Sequence, residues 1–503
     1  AGKNLAGLNE EAFERRGDYP SLFYEGRWHN SGELFERSGR LAGGLIELGI
    51  EPGERVAVCM ANCPEVTLSY QALWRAGAVV TPAMFLLSPE DLRHVIAHSE
   101  ASAVITTPEF LDKVREATAG LEHVRHVITT GSAGDRVIAF GALEKSDPAP
   151  IVPRGDDDLA VLLYTGGTTG RAKGVMISHA SLNFTGDAVQ RAAHVDGMNR
   201  SLMTLPLAHA YGILITIAAL HAPERPVTVL LRWFDPGTFL SMVQEHRVQS
   251  APLVPSMIQM LLAQPLEDFD LSSLRYLGSG AAPLAPEPVD ELARRVPWVS
   301  IRQGYGLSET AALVSTNPAG REKPGSVGLP IPGAEVRILD QSGRALRPGE
   351  AGEVCVRSPA VMQGYWRAPE ATNEAIRDGW LHTGDIGYLD DEGYLFIVDR
   401  KKDLIIVGGF NVYPRDVEDA LLEHPSVAAA GVVGRPDARR GEEVVAFVSL
   451  NASGAGVSAD ALVAWARERI GGYKYPREIH IVDAIPLTAV GKLDRKALRA
   501  RLL

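Results

Sequence analysis

The chain has 503 residues, 46% apolar and 22% charged, with a formal net charge of −12. This is an ordinary composition for a soluble globular protein, in a chain long enough for several domains or subdomains. The acidity argues against a general nucleic-acid binder or a basic membrane-surface protein, although a basic pocket on an acidic protein can still take an anionic ligand.

The three cysteines, Cys59, Cys63 and Cys355, are too few for a disulfide framework and imply a reducing compartment. Cys59 and Cys63 read as core thiols. The first residues lack the apolar centre of a signal peptide. The longest apolar run, near 213–220, is too short to cross a bilayer. A soluble cytoplasmic protein without stable membrane insertion is expected.

In chain order, helical spacing of apolar residues predicts helices over 31–48, 64–75 and 89–98, the last with Ser88 as its N-cap. Apolar runs at 55–60, 78–81 and 103–106 read as strands between them. Strands alternating with helices predict a mostly parallel sheet covered on both faces. A Pro- and Asp-rich connector, 148–158, leads into an apolar strand at 159–164. A helix over 179–195, capped by Ser178, follows. Strand-then-turn units at 248–260, 275–284 and 300–310 set small residues at strand C-termini, where open α/β sheets bind ligands. From Gly325 the pattern becomes β-alternating, at 335–339 and 352–357, with turns at Ser342-Gly343 and Pro348-Gly349. Lys401-Lys402-Asp403 is a charged break, so domains of 1–400 and 401–503 are expected. The second is an α+β unit with helices at 416–422 and 459–470 and strands at 428–433 and 444–450.

The loop after the strand at 159–164 carries Gly166, Gly167, Gly170 and Gly174, the hydroxyls of Thr165, Thr168 and Thr169, and Lys173. Glycines allow backbone N–H groups to converge on one point. Hydroxyls and amides can donate to phosphate oxygens while the lysine offsets their charge. The loop therefore reads as a triphosphate cradle, with a plain Gly/Thr surface turn as the alternative. It is not a Walker A loop, because Gly170 is not followed by Lys-Ser or Lys-Thr at the required spacing.

Seven separated motifs then agree: Y-T-G-G-T-T-G-R-A-K-G, P-L-A-H-A-Y-G, G-S-G-A-A-P-L, Q-G-Y-G-L-S-E-T, G-W-L-H-T-G-D, D-R-K-K-D-L-I-I-V-G-G-F-N-V-Y-P and P-L-T-A-V-G-K. In this order, and from about Trp28 to Lys496, the sequence resembles the adenylate-forming enzymes: acyl-CoA synthetases, luciferases and the adenylation domains of nonribosomal peptide synthetases. The resemblance implies an α/β fold. Its large N-terminal domain would have two α/β sheets and a distorted β-barrel, and its small C-terminal domain would be a mobile lid. It also implies a reaction in two halves. A carboxylate attacks the α-phosphorus of ATP with Mg²⁺, giving an acyl-adenylate and pyrophosphate. A thiol, that of CoA, then displaces AMP.

Residue by residue, the resemblance places Thr165, Gly166, Gly167, Thr168, Thr169, Gly170 and Lys173 on the β- and γ-phosphates. Two departures from the family pattern stand out: Gly166 replaces a serine and Ala172 a proline, removing one hydroxyl and freeing the loop. Glu309 matches the Mg²⁺ ligand. Tyr305 matches the aromatic ring that stacks on adenine, with Gly306 and Ser308 beside it and Gly280, Ala281 and Ala282 as a small wall. Asp385 and Arg400 match the ribose contacts. His209 would orient or admit the carboxylate, a packed core histidine being the alternative. Lys492 matches the lid lysine that reaches the reacting oxygens. Lys402 falls at the hinge, and Gly408 and Gly409 would line the passage for the pantetheine arm. Arg439, Arg440, Lys474 and Arg477 are candidates for CoA phosphates or simply solvated charges.

Ala210 stands where amino-acid activators tend to carry aspartate, and Gly304 where a malonate-activating relative would carry arginine. A monocarboxylic, largely apolar acid is therefore expected, surrounded by His209, Ile213, Val254, Gly278, Gly304 and Leu307. Three alternatives stay open: transfer to a carrier protein, a luciferase-like oxygenase, and a catalytically silent nucleotide binder. Whether the chain is a monomer or a homodimer is also left open.

Overall fold

The computed structural model describes residues 4–165, 171–454, 456–470, 472–488 and 491–502. An eight-stranded sheet is built around the parallel strands Arg55–Cys59, Val79–Pro82, Ala103–Thr106 and His126–Thr129. The strand Leu159–Thr165 joins it in parallel beside Val79–Pro82, and Lys173–Ser178 folds back antiparallel on Leu159–Thr165. The expected cradle thus falls between two antiparallel strands, and the helix His179–Ala193 begins only after the second of them. Alternating burial of Val175 and Ile177 explains that second strand. Ser88 and Ser178 cap their helices as expected, accepting from the N–H groups of Asp91 and Ser181.

A nine-stranded sheet contains the parallel strands Arg200–Met203, Val227–Leu230, Ser250–Leu253, Tyr276–Ser279 and Ser300–Tyr305. One edge is formed by a hairpin, Pro20–Tyr24 with Arg27–Asn30, which follows the helix Leu5–Arg16. A single apolar core reaches from Val56, Val80 and Leu163 of the first sheet through Ile213 and Ile217 to Met203 and Leu230 of the second. Separate clusters cover the far face of each sheet.

Residues 335–400 add an antiparallel half-barrel, including Glu335–Leu339, Gly352–Arg357, Trp380–Leu389 and Leu395–Arg400. A short 3₁₀ turn, Lys401–Asp403, leads into a small C-terminal domain with its own sheet and core. Its strands Ile405–Val407, Val427–Asp437 and Gly441–Leu450 carry the helices Pro414–Leu422 and Ala459–Ile470 on one face. The helix Arg495–Ala500 lies on the other.

One buried side chain ties the sheets together next to the site. Asn62 donates from Nδ2 to the Leu205 carbonyl (2.8 Å) and accepts from the Leu207 N–H (2.9 Å). Its own N–H reaches the Arg232 carbonyl (3.2 Å). The Tyr70 hydroxyl completes the clamp on the Leu207 carbonyl (3.1 Å). Asn62→Ala strands two buried backbone groups and is expected to cost about 2–4 kcal/mol. The check is the urea midpoint of the large domain, which should fall without a change in slope.

Candidate active site

Residues 166–170, holding Gly166, Gly167, Thr168, Thr169 and Gly170 of the expected cradle, lie outside the described residues. The residues flanking them are tied into the fold. Thr165 pairs with Lys173 across the hairpin, and the Trp366 N–H donates to the Gly174 carbonyl (2.7 Å). Although Ala172 lacks the stiffness of proline, its carbonyl accepts from His94 Nε2 (2.8 Å). His98 Nδ1 meets the Tyr164 hydroxyl at 2.7 Å, fixing the end of the first strand.

Lys173 Nζ sits 5.1 Å above the ring of Tyr365, whose hydroxyl donates to Glu309 Oε1 (2.8 Å). Tyr365 therefore links the cradle lysine to the acidic residue expected to hold a metal. It lies 56 positions from Glu309 and belongs to no spacing pattern that would have marked it. Glu309 is set on a tight 3₁₀ turn, Ser308–Thr310, closed by the Leu307 N–H donating to Thr310 Oγ1 (2.9 Å). Ala311 and Ala312, just beyond, have φ of +46° and +72°, and Ala281 on the opposing turn has +69°. Non-glycine residues reach this region at a cost of about 1–3 kcal/mol each. Gly306 is obligatory here, because a Cβ on it would fall 2.0 Å from the Ala312 carbonyl oxygen.

The Tyr305 hydroxyl donates to Asp385 Oδ2, and Arg400 Nε lies 2.9 Å from Oδ1 of the same buried carboxylate. Burial, and then the Asp385 charge, hold the Tyr305 phenol well above its ordinary pKa. The Asp385 charge raises that of the Arg400 guanidinium in turn. Tyr305, Asp385 and Arg400, apart in sequence, thus form one hydrogen-bonded group.

His209 is the N-cap of the helix Ala210–His221, and its Nδ1 accepts from the Tyr211 N–H (3.2 Å). That bond assigns the ring proton to Nε2. Burial first, then the nearby Lys492 charge, push its pKa down to about 4, so it is neutral at pH 7 and can donate. Lys492 comes from the small domain, on a loop where the Thr488 N–H donates to the Lys492 carbonyl (2.6 Å). The neighbouring Gly491, at φ +75°, lies against the large domain, since a Cβ there would sit 2.9 Å from Ser256 Oγ. Burial, followed by the charge of Arg400, lowers the Lys492 ammonium to about 8, with Asp385 and Glu309 opposing.

Lys492 and His209 both line a cavity of about 240 Å³, together with Gly278, Gly280, Gly304 and Leu307. Ala281, Tyr305, Gly306 and Ser308 border it too, whereas Ala282 does not. Gly278 and Gly280 are bare because Tyr211 packs on them, with its Oη and Cε1 3.0 Å from where their Cβ atoms would be.

Two expected pocket residues do not line the cavity. Ile213 and Val254 are buried in the apolar core, and Tyr211, Leu214 and Ile215 take the place expected of Ile213. Gly408 and Gly409 do not line it either. They form the two-residue turn of the hairpin Ile405–Val407/Phe410–Val412, with φ of +58° and +85° and open space around them. Lys402 lies in the turn joining the domains. Of the four basic candidates, Arg440, Lys474 and Arg477 face acidic partners at 3.6–3.9 Å.

A lysine linked through a tyrosine to an acidic turn, an aromatic–carboxylate–guanidinium group and a lysine delivered by a second domain fit a nucleotide-using enzyme. Residues 9–366 match the AMP-binding enzyme family and residues 416–492 match the AMP-binding enzyme C-terminal domain. The chain belongs to this family of adenylate-forming enzymes. It is 40% identical over 474 residues to a feruloyl-CoA synthase of an Amycolatopsis species, covering 93% of each chain. It is 34% identical over 531 residues to a long-chain-fatty-acid–CoA ligase of Bacillus subtilis (strain 168), covering 99% of this chain and 94% of the relative. The anthranilate CoA ligase AuaEII, solved with anthranoyl-AMP, is similar in structure with a TM-score of 0.92 at 25% identity, covering 99% and 97% of the two chains. The chain is an ATP-dependent, AMP-forming carboxylate–CoA ligase of the acyl-CoA synthetase type. Among the described residues no helix is long and apolar enough to cross a membrane.

The Lys492 amine should titrate well below exposed lysines. In trace acylation followed by peptide mass spectrometry, its reactivity should rise with a midpoint near pH 8, against about 10.4 for solvated lysines. A midpoint shared with the surface lysines would contradict the buried setting.

Proposed function

We propose that the protein activates a compact aromatic monocarboxylic acid with ATP and passes the acyl group to CoA. In this reading residues 1–400 bind ATP and acid, and residues 401–503 form a lid that turns between the half-reactions. The observation that carries it is the cavity of about 240 Å³ reached by both His209 of the large domain and Lys492 of the small one.

In the first half-reaction a carboxylate oxygen attacks the α-phosphorus and pyrophosphate leaves. Both partners are anions, so the site must hold like charges together. His209 Nε2–H donates to the carboxylate, and the Lys492 ammonium faces the oxygens on which charge develops. Lys173 and the Gly/Thr turn take the outer phosphates. Tyr305 stacks on the adenine, and Asp385 and Arg400 take the ribose. Glu309 fits a hard cation: Tyr365 orients one carboxylate oxygen, while the other is uncommitted among the described residues. Mg²⁺ held by Glu309 would offset the charge of the phosphates.

The aromatic reading rests on the cavity walls. Leu214, Ile215 and Ala218 supply apolar surface, while Tyr211, Tyr276 and Ser250 add hydroxyl-bearing side chains to the lining. A plain alkyl chain would leave those hydroxyls without partners, whereas a ring bearing a polar substituent would satisfy some of them. The relatives named for feruloyl and anthranoyl chemistry support the same choice. Arg302 also borders the cavity but is held by Glu322 (2.8 Å) and stacked on Tyr276 (3.9 Å). A second carboxylate on the substrate would therefore find the Arg302 guanidinium already committed.

The test is a panel of hydroxycinnamates, substituted benzoates and fatty acids with ATP, Mg²⁺ and CoA, read as AMP and thioester. Highest kcat/KM on an aromatic acid is expected, and highest kcat/KM on a long alkyl acid would overturn the assignment. Lys492→Ala should slow adenylation about 10²–10³-fold while a preformed adenylate still reacts with CoA. Lys402→Pro should do the reverse, keeping adenylation and blocking thioester formation. Equal loss in both half-reactions for either variant would reject these roles.

A further inference from the structure

Outside the nucleotide and acyl sites, three metal-ligating side chains converge on one face of the half-barrel. Cys355 and His382 are directly paired across the strands Gly352–Arg357 and Trp380–Leu389. Glu353, two residues before Cys355, shares its face. His382 Nδ1 lies 3.4 Å from Cys355 Sγ and 3.3 Å from Glu353 Oε2, and the three donor atoms all fall within 4.8 Å of one another. A tetrahedral Zn²⁺ with bonds of about 2.0–2.1 Å to N and O and about 2.3 Å to S has donor–donor edges of about 3.3–3.6 Å. The cluster already shows two of those edges without any movement of the chain. Soft thiolate and borderline imidazole donors select Zn²⁺ over Mg²⁺ or Ca²⁺.

We propose that Glu353, Cys355 and His382 form a binding site for one Zn²⁺, with water as the fourth ligand, and that binding frees Lys401. The Lys401 ammonium lies 3.2 Å from the same Glu353 Oε2 that the ion would take. Glu353 Oε1 stays anchored by the Gly384 N–H (3.2 Å), which keeps the carboxylate in place. On binding, the Cys355 thiol releases one proton to solvent, and His382 coordinates through Nδ1 with its proton on Nε2. No electron transfer is involved. Lys401 opens the turn between the domains and follows Arg400, the partner of Asp385, so the ion would act on the segment that carries the lid.

The test uses the full-length, reduced, metal-free protein titrated with Co²⁺ and then with Zn²⁺. One equivalent of Co²⁺ should bind with a thiolate-to-cobalt charge-transfer band and tetrahedral ligand-field bands, and Zn²⁺ should displace it. The band should disappear in Cys355→Ser, persist in Cys59→Ser/Cys63→Ser, and require at least tenfold more Co²⁺ in His382→Gln. Lys401→Met should bind about fivefold more tightly, the worth of a half-exposed ion pair. Absence of a thiolate band, or a band that survives Cys355→Ser, overturns the site. An unchanged or weaker constant in Lys401→Met overturns the coupling to Lys401. Circular dichroism of each variant separates loss of the ligand from loss of the fold.

Discussion

An ammonium that belongs to one domain but lies in a cavity of another is the constraint around which this molecule is arranged. Lys492 is drawn out of water and set beside Arg400, another cation, with Asp385 and Glu309 only partly compensating. Such a charge is poorly solvated until an anion arrives. A bound triphosphate and carboxylate would supply it. The docked position of the small domain and the filling of the cavity then favour one another by linkage, since each stabilises the state the other prefers. The same logic would suit the proposed lid, which carries the lysine. In the proposed cycle the acyl-adenylate and pyrophosphate form together; once pyrophosphate has left, the anion that held the lysine changes, and the docking contact could be given up.

The large-domain turns facing that lysine are held by packing and local hydrogen bonds. Three alanines at positive φ, a glycine whose Cβ would collide with backbone, and Thr310 closing its own turn hold Glu309 and Tyr305 at the ends of the second sheet. Asn62 and Tyr70 hold residues 205–207, and so the start of the helix capped by His209. Backbone strain of this kind persists only where packing over-determines the conformation, and these turns sit between two sheets sharing one core.

Much of this was legible before any coordinates. The helix Pro64–Arg75, the strand Ala103–Thr106 and the helix Ala459–Ile470 fall where periodicity placed them. The misses have physical causes. The helix Ala210–His221 is apolar on nearly every side, so the sequence does not tell its cavity face from its core face. Ile213 was assigned to the wrong one, while Leu214 and Ile215 border the cavity. Val254 precedes a proline at a helix start and turns into the core. Tyr365 was missed because its value lies in touching Glu309 and Lys173, both remote in sequence. The helix Leu5–Arg16 is only weakly two-faced and rich in small and charged residues, so periodicity did not mark it.

The charged break between the domains has more structure than its composition suggests. Arg400 pairs with Asp385 and Lys401 with Glu353, both on the large-domain side. Asp403 pairs instead with Arg499 of the C-terminal helix (2.8 Å). Allegiance changes across one residue, Lys402. A rotation centred there would leave Arg400–Asp385 and Asp403–Arg499 intact, each within its own body. Among the described residues, such a rotation would withdraw Lys492 from the cavity, lift Gly491 off Ser256 and break the contacts of Arg415: its N–H to Asp399 Oδ2 (2.8 Å), and its guanidinium to the Ile397 and Leu284 carbonyls (2.6 and 3.3 Å). Those bonds can be replaced by water when Arg415 is exposed, so breaking them costs little net free energy. The buried pair Arg495–Glu418 (2.6 Å) lies wholly inside the small domain and is not disturbed. The proposed pivot thus rests on where the ion pairs divide, independently of any motif.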